Sequence, residues 1–368
     1  MNRTSRMSPG VSLPVVCIHE DRSESLIGVK LTVLSLARHA PRLRVLVSCP
    51  GAGAEFAAWL EAQPNASRVQ LTSVRGTAWN IKPSVLLELL DSHPDVVWLD
   101  SDIIVAGDIE VHLVALSPDV IVTAEETYWG QRQGDDFRTS AWGLESTRTF
   151  ACTMNTGVLR VTREHIDMLE AWQAMLAHPA YLRAQAGPWY ERPLHMLGDQ
   201  EALTGLLGSA EFAHLPVSFL QRGSVIAQCF GPAGFTPAER VGALLRGGPA
   251  LIHAMGPKPW LRPSSHGGPA PSKDMLTSMR EWYGYLTLDV SPYCIEARRY
   301  VGEPGLELGW AEPVSAAGRL LCMVGGGRPA APGLPIAVVD HVARWIRKML
   351  GIARYPQSQD TFLKERPF

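Results

Sequence analysis

Short apolar strands alternate with longer apolar helices through the first hundred residues, and this alternation constrains the fold more than any other feature. Residues 14–19 form an apolar run that reads as a buried strand. Residues 25–39, apolar at Leu26, Ile27, Val29, Leu31, Val33, Leu34 and Leu36, are too long for a strand and read as a largely buried helix. A second strand at 43–48, a helix at 54–63 and an alternating strand at 69–74 follow. Pro83 can open a further helix at its first position, running through Leu90, before the strand 95–100, Asp-Val-Val-Trp-Leu-Asp. Strands separated by helices imply βαβ units and a mainly parallel α/β sheet flanked by helices.

The chain has 368 residues, which allows one large α/β unit and a remainder. With 46% apolar and 19% charged residues it belongs with folded globular proteins, not disordered tails. A net charge of −2 supplies no global drive toward nucleic acid, so no nucleic-acid partner is expected. The six cysteines contain no C-x-x-C pair, which argues against a zinc cluster or disulfide scaffold. Residues 1–13 are polar, without the apolar stretch of a secretory signal, and no run approaches the roughly 20 apolar residues that span a bilayer. A reduced, cytoplasmic protein is the expectation.

Beyond residue 120 the rhythm loosens. Residues 128–150 and 181–193 read as long aromatic loops. Thr162 can cap a helix with Ile166, Leu169, Trp172 and Leu176 on one face, and Thr236-Pro237-Ala238-Glu239 has capping-box spacing. The Pro/Gly/Ser-rich residues 262–272 read as a linker, dividing a unit at 1–262 from a mainly helical extension at 263–368.

The strongest local feature is Asp100-Ser101-Asp102 at the end of the strand Val96-Val97-Trp98-Leu99. Residues i and i+2 of an extended chain point to the same side, about two rises of ~3.3 Å apart. Carboxylates so placed lie where open α/β sheets bind ligands, beyond the strand carboxyl ends, and a divalent cation there would neutralise a diphosphate. A strand end that merely turns with acidic residues is the alternative. His253, ending the apolar run Leu251-Ile252, offers an imidazole to complete such a site; oxygen ligands with one nitrogen suit manganese, or magnesium. Lys258, between two prolines, can meet a phosphate as a point charge. Alone, His253 reads as a hydrogen-bonded structural histidine and Lys258 as a solvated loop lysine. Met154-Asn155-Thr156-Gly157 places an amide donor and acceptor beside a glycine that admits close approach, or is an ordinary turn. Gly198-Asp199-Gln200-Glu201 precedes a helix, where Asp199 serves equally as an N-cap or in catalysis.

In this order, D-x-D, Asn-x-Gly-Val, Asp-Gln and His-x-x-Gly before Lys-Pro-Trp resemble the family 8 retaining glycosyltransferases, the group of glycogenin and the bacterial lipopolysaccharide galactosyl- and glucosyltransferases. The resemblance covers about residues 14 to 262. It implies a GT-A fold, a Rossmann-like mostly parallel sheet, and a nucleotide-diphosphate sugar donor, most often a UDP-sugar, with Mn²⁺ or Mg²⁺. By matching positions, Asp100, Ser101 and Asp102 would meet donor ribose and metal, and His253 would be the third protein ligand. Gly256 and Lys258 would meet the diphosphate, and Asn155, Asp199 and Gln200 the donor sugar and reaction centre. Lys82, in Trp-Asn-Ile-Lys-Pro, falls where the family often carries a basic donor-site residue; His19, Glu20 and Asp21 end the first strand where the base would lie. The chain departs from the pattern in having only Pro257 between the glycine and Lys-Pro-Trp, and in lacking an aromatic residue in the first βα turn.

The function implied is metal-dependent transfer of a hexosyl group, with retention, to a saccharide or other hydroxyl-bearing acceptor. Tyr128, Trp129, Trp142, Trp189 and Tyr190 are the candidates for stacking on that acceptor. Two alternatives stay open. A haloacid-dehalogenase-type phosphatase also has D-x-D after an apolar strand, but near its domain start and followed by Thr or Val where Ile104 stands here. A non-catalytic relative would bind nucleotide sugar without transferring it. Residues 335–350 can form an amphipathic helix with Val339, Val342, Ile346 and Met349 on one face and Arg344, Arg347 and Lys348 nearby. Docking on its own domain is the commoner use of such a helix; peripheral contact with the cytoplasmic face of a membrane is the other.

Overall fold

In a computed structural model, which describes residues 13–114, 116–126, 136–256, 258–261 and 275–351, the alternation builds a seven-stranded sheet. The strands are β1 (Val15–His19), β2 (Arg44–Ser48), β3 (Ala66–Arg68), β4 (Asp95–Leu99), β5 (Ile103–Val105), β6 (Ile121–Glu125), β7 (Met154–Thr162), β8 (Val217–Leu220), β9 (Ile226–Gln228) and β10 (Leu251–His253). The large sheet runs β3-β2-β1-β4-β7-β6-β8, and β5-β10-β9 form a small second sheet. Neighbours β3, β2, β1 and β4 are parallel, as are β6 and β8; β7 runs antiparallel between β4 and β6. The architecture is α/β with a mostly parallel sheet.

Strand alternation divides the core in two. Val15, Cys17, Val96 and Trp98 face one side, packed under the helices Lys82–Leu90, Ile166–Ala177 and Asp199–Leu207. Val16, Ile18, Val97 and Leu99 face the other, against the helices Leu26–His39 and Ala54–Glu61. At roughly 1.5–3 kcal/mol for each fully buried Val or Leu, these two layers are the main force holding the strand ends in register. All six cysteines are free.

Three local expectations change. The strand placed at 69–74 ends at Arg68: Val69 makes one more bond to Val47 O at 3.0 Å, after which Val69, Leu71 and Val74 pack on the core from a loop. Within 181–193, the first residues belong to the helix Pro179–Ala186, started by Pro179 and capped by His178, whose ring accepts from Ala180 N at 3.2 Å. A short helix, Phe137–Ser140, interrupts the loop placed at 128–150. The linker at 262–272 lies outside the described residues.

From residue 275 the described chain is helical, at Met275–Asp289, Pro292–Ala297, Ala316–Val324 and Leu334–Met349. Tyr293, Cys294, Ala297 and Tyr300 share a core with Leu31, Ile104 and Ile252, so this region closes over the small sheet. Buried Asp289, the last residue of the first of these helices, accepts from Ser315 N at 2.9 Å and Ser315 Oγ at 2.6 Å, tying that helix to Ala316–Val324, which Ser315 caps. The helix Leu334–Met349 is not docked by the face that the periodicity marks. Ala337 is buried, whereas Val339, Val342, Ile346 and Met349 are exposed. Among the described residues no helix is long and apolar enough to cross a membrane.

Candidate functional site

Strands β1 and β4 end side by side because they pair in parallel, and β7 begins at the same end because it runs antiparallel to β4. This brings residues 19–22, 100–102 and 155–157 to one edge of the sheet, the position where open α/β sheets form binding crevices. Between Thr123 and Ala124 the register jumps from Leu159 to Asn155, so residues 156–158 of β7 have no partner on β6. Such irregularities re-aim side chains. The result is a cleft of about 420 Å³ lined by His19, Glu20, Asp21, Lys82, Asp100, Ser101, Asp102, Asn155, Asp199, Gln200, His253, Gly256 and Lys258. Every residue named for the catalytic, donor and metal roles is on its wall.

At one end, Asp100, Asp102 and His253 each present a ligand atom, all within 4.8 Å of one another. His253 Nε2 lies 3.3 Å from Asp102 Oδ1 and 3.9 Å from Asp100 Oδ2. Gly157 lies beneath them; a Cβ there would come within 2.6 Å of His253 Cε1 and 3.1 Å of Asp100 Oδ2. Two carboxylates and an imidazole over a space kept open by a glycine fit a divalent cation of the magnesium or manganese type. Asp102 is buried, which by itself would raise its pKa, but His253 and Lys258 hold it far below the usual carboxylate range. Lys258 Nζ pairs with Asp102 and donates to Ala254 O at 3.2 Å. The shortened spacing before Lys-Pro-Trp thus still brings the ammonium to the cleft.

In the middle, Lys82 is buried and bridges Asp100 Oδ1 at 3.3 Å and Asp199 Oδ2 at 3.4 Å, while donating to Thr156 Oγ1 at 3.0 Å. Burial would lower the pKa of Lys82, yet the two carboxylates raise it above the ordinary lysine value, so it stays a cation. Asp199 is not the N-cap of its helix; Gly198 is, and Asp199 opens the first turn. Its carboxylate accepts from Thr156 Oγ1 at 2.6 Å; burial raises its pKa against the opposing pull of Lys82 and Thr156.

At the other end, Asn155 Oδ1 accepts from Gly157 N at 3.0 Å, and Asn155 Nδ2 donates to Glu126 Oε2 at 2.8 Å. Gln200 Nε2 donates to the same oxygen at 2.9 Å. Glu126 is buried and receives both amides, yet nothing in its immediate sequence marks it. The available signal is that Glu125-Glu126 follow an apolar strand, as Asp100 does. Trp98 also goes unmarked: its indole donates to Asp100 Oδ1 at 2.6 Å and fixes that carboxylate.

At the mouth, His19 Nδ1 bonds Ser48 Oγ at 3.0 Å. Glu20 is occupied on both oxygens, accepting from Ser101 Oγ at 2.6 Å and from Arg22 Nε at 2.7 Å and Nη2 at 2.9 Å. Glu20 and Ser101 therefore brace each other within the wall.

The aromatic candidates do not gather. Trp142 is 8% exposed, its indole donating to His195 O at 3.1 Å and its ring stacked on Tyr181. That ring is part of the core and is withdrawn from the cleft. Trp189 is exposed and Tyr190 lies in the same short turn, Trp189–Glu191. Tyr128 and Trp129 lie outside the described residues. Beside Lys82 the cleft is lined by Trp98 and by Trp79, the latter half exposed and covered on one side by the Arg192 guanidinium, 6.0 Å from the ring centroid.

Comparison with solved structures finds similarity to glycosyltransferases. The bifunctional glycosyltransferase WbbM, in its apo form, matches 69% of this chain and 48% of its own at 14% identity and a TM-score of 0.48. The galactosyltransferase LgtC, in complex with donor and acceptor sugar analogues, matches over 73% and 95% of the two chains at 15% identity and a TM-score of 0.46. GlyE of Streptococcus pneumoniae matches over 78% and 63% at 15% identity and a TM-score of 0.43. This chain therefore spans about half the length of WbbM. No family model and no curated protein sequence matches it.

Proposed function

We propose that the chain is a metal-dependent glycosyltransferase that moves a hexosyl group from a nucleotide-diphosphate sugar, a UDP-sugar in the first instance, to a hydroxyl-bearing acceptor with retention of configuration. The observation that carries this reading is the division of one cleft into a carboxylate- and imidazole-lined, metal-ready end and an amide-lined end about a buried lysine. Asp100, Asp102 and His253 would hold Mn²⁺ or Mg²⁺, which when bound supplies positive charge to a diphosphate leaving group. Lys258, paired with Asp102 in this structure, would turn from that carboxylate to add a second positive charge toward the same diphosphate. His19 and Asp21 at the mouth face the base and ribose, with Glu20 and Ser101 setting the wall behind them. Asn155 and Gln200, both turned by Glu126, orient hydroxyls of the donor sugar, and Asp199 offers negative charge near an oxocarbenium-like centre. Lys82, a donor-site cation by position, lies between Asp100 and Asp199 and opposes the burial that raises the Asp199 pKa.

A membrane contact is a separate element of the reading. The exposed Val339, Val342, Ile346 and Met349, with Arg344, Arg347 and Lys348 on the same helix, support peripheral binding at an anionic cytoplasmic leaflet.

Asp102→Ala removes one of the three candidate ligands and the partner of Lys258. It is expected to abolish metal-dependent turnover of the donor while leaving the far-ultraviolet circular dichroism unchanged. Turnover near that of the unmodified protein would remove the basis of the assignment.

A further inference from the structure

A second cavity, also of about 420 Å³, opens beside the amide-lined end of the cleft and shares Met255 with it. Its walls are mainly apolar: Phe230, Leu288, Val290 and Ile336 join Met255. Among the described residues the one cation on its wall is Arg240, which is committed elsewhere, its Nε donating to Phe235 O at 2.9 Å and its Nη1 to Ala330 O at 3.1 Å. A concave apolar space of this size, with its polar groups already answered, is what a small-molecule site looks like, and it is too large to be a packing defect.

Two further observations concern its openings. Gly284 stands at the mouth, in the interior of the helix Met275–Asp289, where glycine is disfavoured relative to alanine. A Cβ built there meets nothing within 4 Å, so neither backbone conformation nor packing calls for a glycine at that place. Its consequence is a wider mouth. On the inner side, Met255 Sδ lies 3.9 Å from Asn155 Nδ2, the amide at the sugar end of the cleft. The next residue, Gly256, has φ +79° and would bring a Cβ within 2.8 Å of the Phe230 ring, so the wall between the two spaces is one backbone thick.

We propose that this cavity binds the apolar portion of the acceptor, a hydrocarbon chain or apolar aglycone, while the acceptor hydroxyl reaches the donor sugar held at Asn155 and Gln200. The inference rests on the donor reading above and names the substrate class: an amphipathic acceptor with a polar head and an apolar tail. The tail passes Met255 and ends between the helices that carry Leu288 and Ile336.

The test compares n-octyl β-D-glucoside, below its micelle concentration, with methyl β-D-glucoside by titration calorimetry on the full chain. UDP with Mn²⁺ is titrated in parallel. The octyl compound is expected to bind at least about tenfold more tightly, since its added methylenes leave water. Gly284→Leu, which lays a side chain across the mouth, and Ile336→Gln, which sets an amide on the wall, should each weaken octyl binding about tenfold or more. Both should leave UDP binding unchanged. Equal affinity for the two glucosides would overturn the proposal. So would octyl binding that ignores both substitutions, which would assign the chain to the exposed apolar helix Leu334–Met349. Octyl selectivity that is lost in both variants, in a protein that binds no UDP, would overturn the donor reading and the acceptor role while leaving the cavity's affinity for hydrocarbon chains standing.

Discussion

Replacing Gly157 with alanine puts a methyl group in place of a hydrogen at the floor of the metal-ready end, and its effect can be worked out from three distances. The new Cβ would stand 2.6 Å from His253 Cε1, 2.9 Å from Asn155 Oδ1 and 3.1 Å from Asp100 Oδ2. Comfortable carbon contacts begin near 3.5 Å, so the imidazole must retreat by about 1 Å. It is buried, with little room to do so. Strand φ and ψ suit alanine, so the cost is steric: about 1–3 kcal/mol of overpacking. Metal ligands tolerate displacements of only ~0.2 Å, and disturbing their support commonly costs about 10–100-fold in affinity. Gly157→Ala should therefore fold, lose a few kcal/mol at most in urea denaturation, and bind Mn²⁺ at least about tenfold more weakly by electron paramagnetic resonance titration. Mn²⁺ affinity within twofold of the unmodified protein would refute the argument that His253 and Asp100 hold the ion over this glycine.

Three other outcomes follow from the same geometry. Lys82→Met leaves Asp100 and Asp199 without their shared cation and, as the breaking of a buried ion pair, should cost about 3–5 kcal/mol in chemical denaturation; a loss under 1 kcal/mol would mean that the bridge contributes little. His195 is buried against Phe137 and Trp142, and burial lowers its pKa from 6.5 to about 4. The unfolded chain therefore takes up a proton that the folded chain refuses, so stability should fall as pH drops from 6.5 toward 4, by up to about 3 kcal/mol, and level off below. His195→Gln should flatten that portion of the pH–stability curve, and an unchanged slope would exclude this residue. Trp345→Glu with Ile346→Glu should abolish sedimentation with phosphatidylglycerol vesicles without altering UDP binding; equal sedimentation would dismiss the helix Leu334–Met349 as a membrane contact.

The α/β class and the strands β1, β2 and β4 are legible in the sequence because each depends on local periodicity and on turns within a few residues. The cleft is legible for a related reason: its acidic, amide and imidazole groups sit at ends of apolar runs, and the fold collects such ends on one edge. Glu126 is hidden because its role depends on β6 lying beside β7, an antiparallel pairing that no local pattern records. Trp98 is hidden for the opposite reason, since a tryptophan inside an apolar strand looks like core and is core, with only its indole N–H turned to Asp100. Trp142 shows the converse limit. An aromatic residue in a polar stretch looks available, but Tyr181 and His195 from a distant segment cover it. The residues after 262 carry no chemical motif, yet Gly284 and Ile336 line a cavity, because an apolar space between helices is a property of their packing and leaves no signature along either one.

The central claim is that one cleft takes a nucleotide-diphosphate sugar and a divalent ion together. It is tested most directly by incubating the full chain with a panel of nucleotide sugars, with and without Mn²⁺, and measuring donor hydrolysis by chromatography alongside the thermal shift. The account predicts that at least one UDP-sugar raises the melting temperature and is hydrolysed to UDP in the presence of Mn²⁺ and not in its absence, and that Asp102→Ala abolishes both effects. Stabilisation and hydrolysis that persist unchanged in Asp102→Ala, or a panel with no metal-dependent response to any nucleotide sugar, would contradict it.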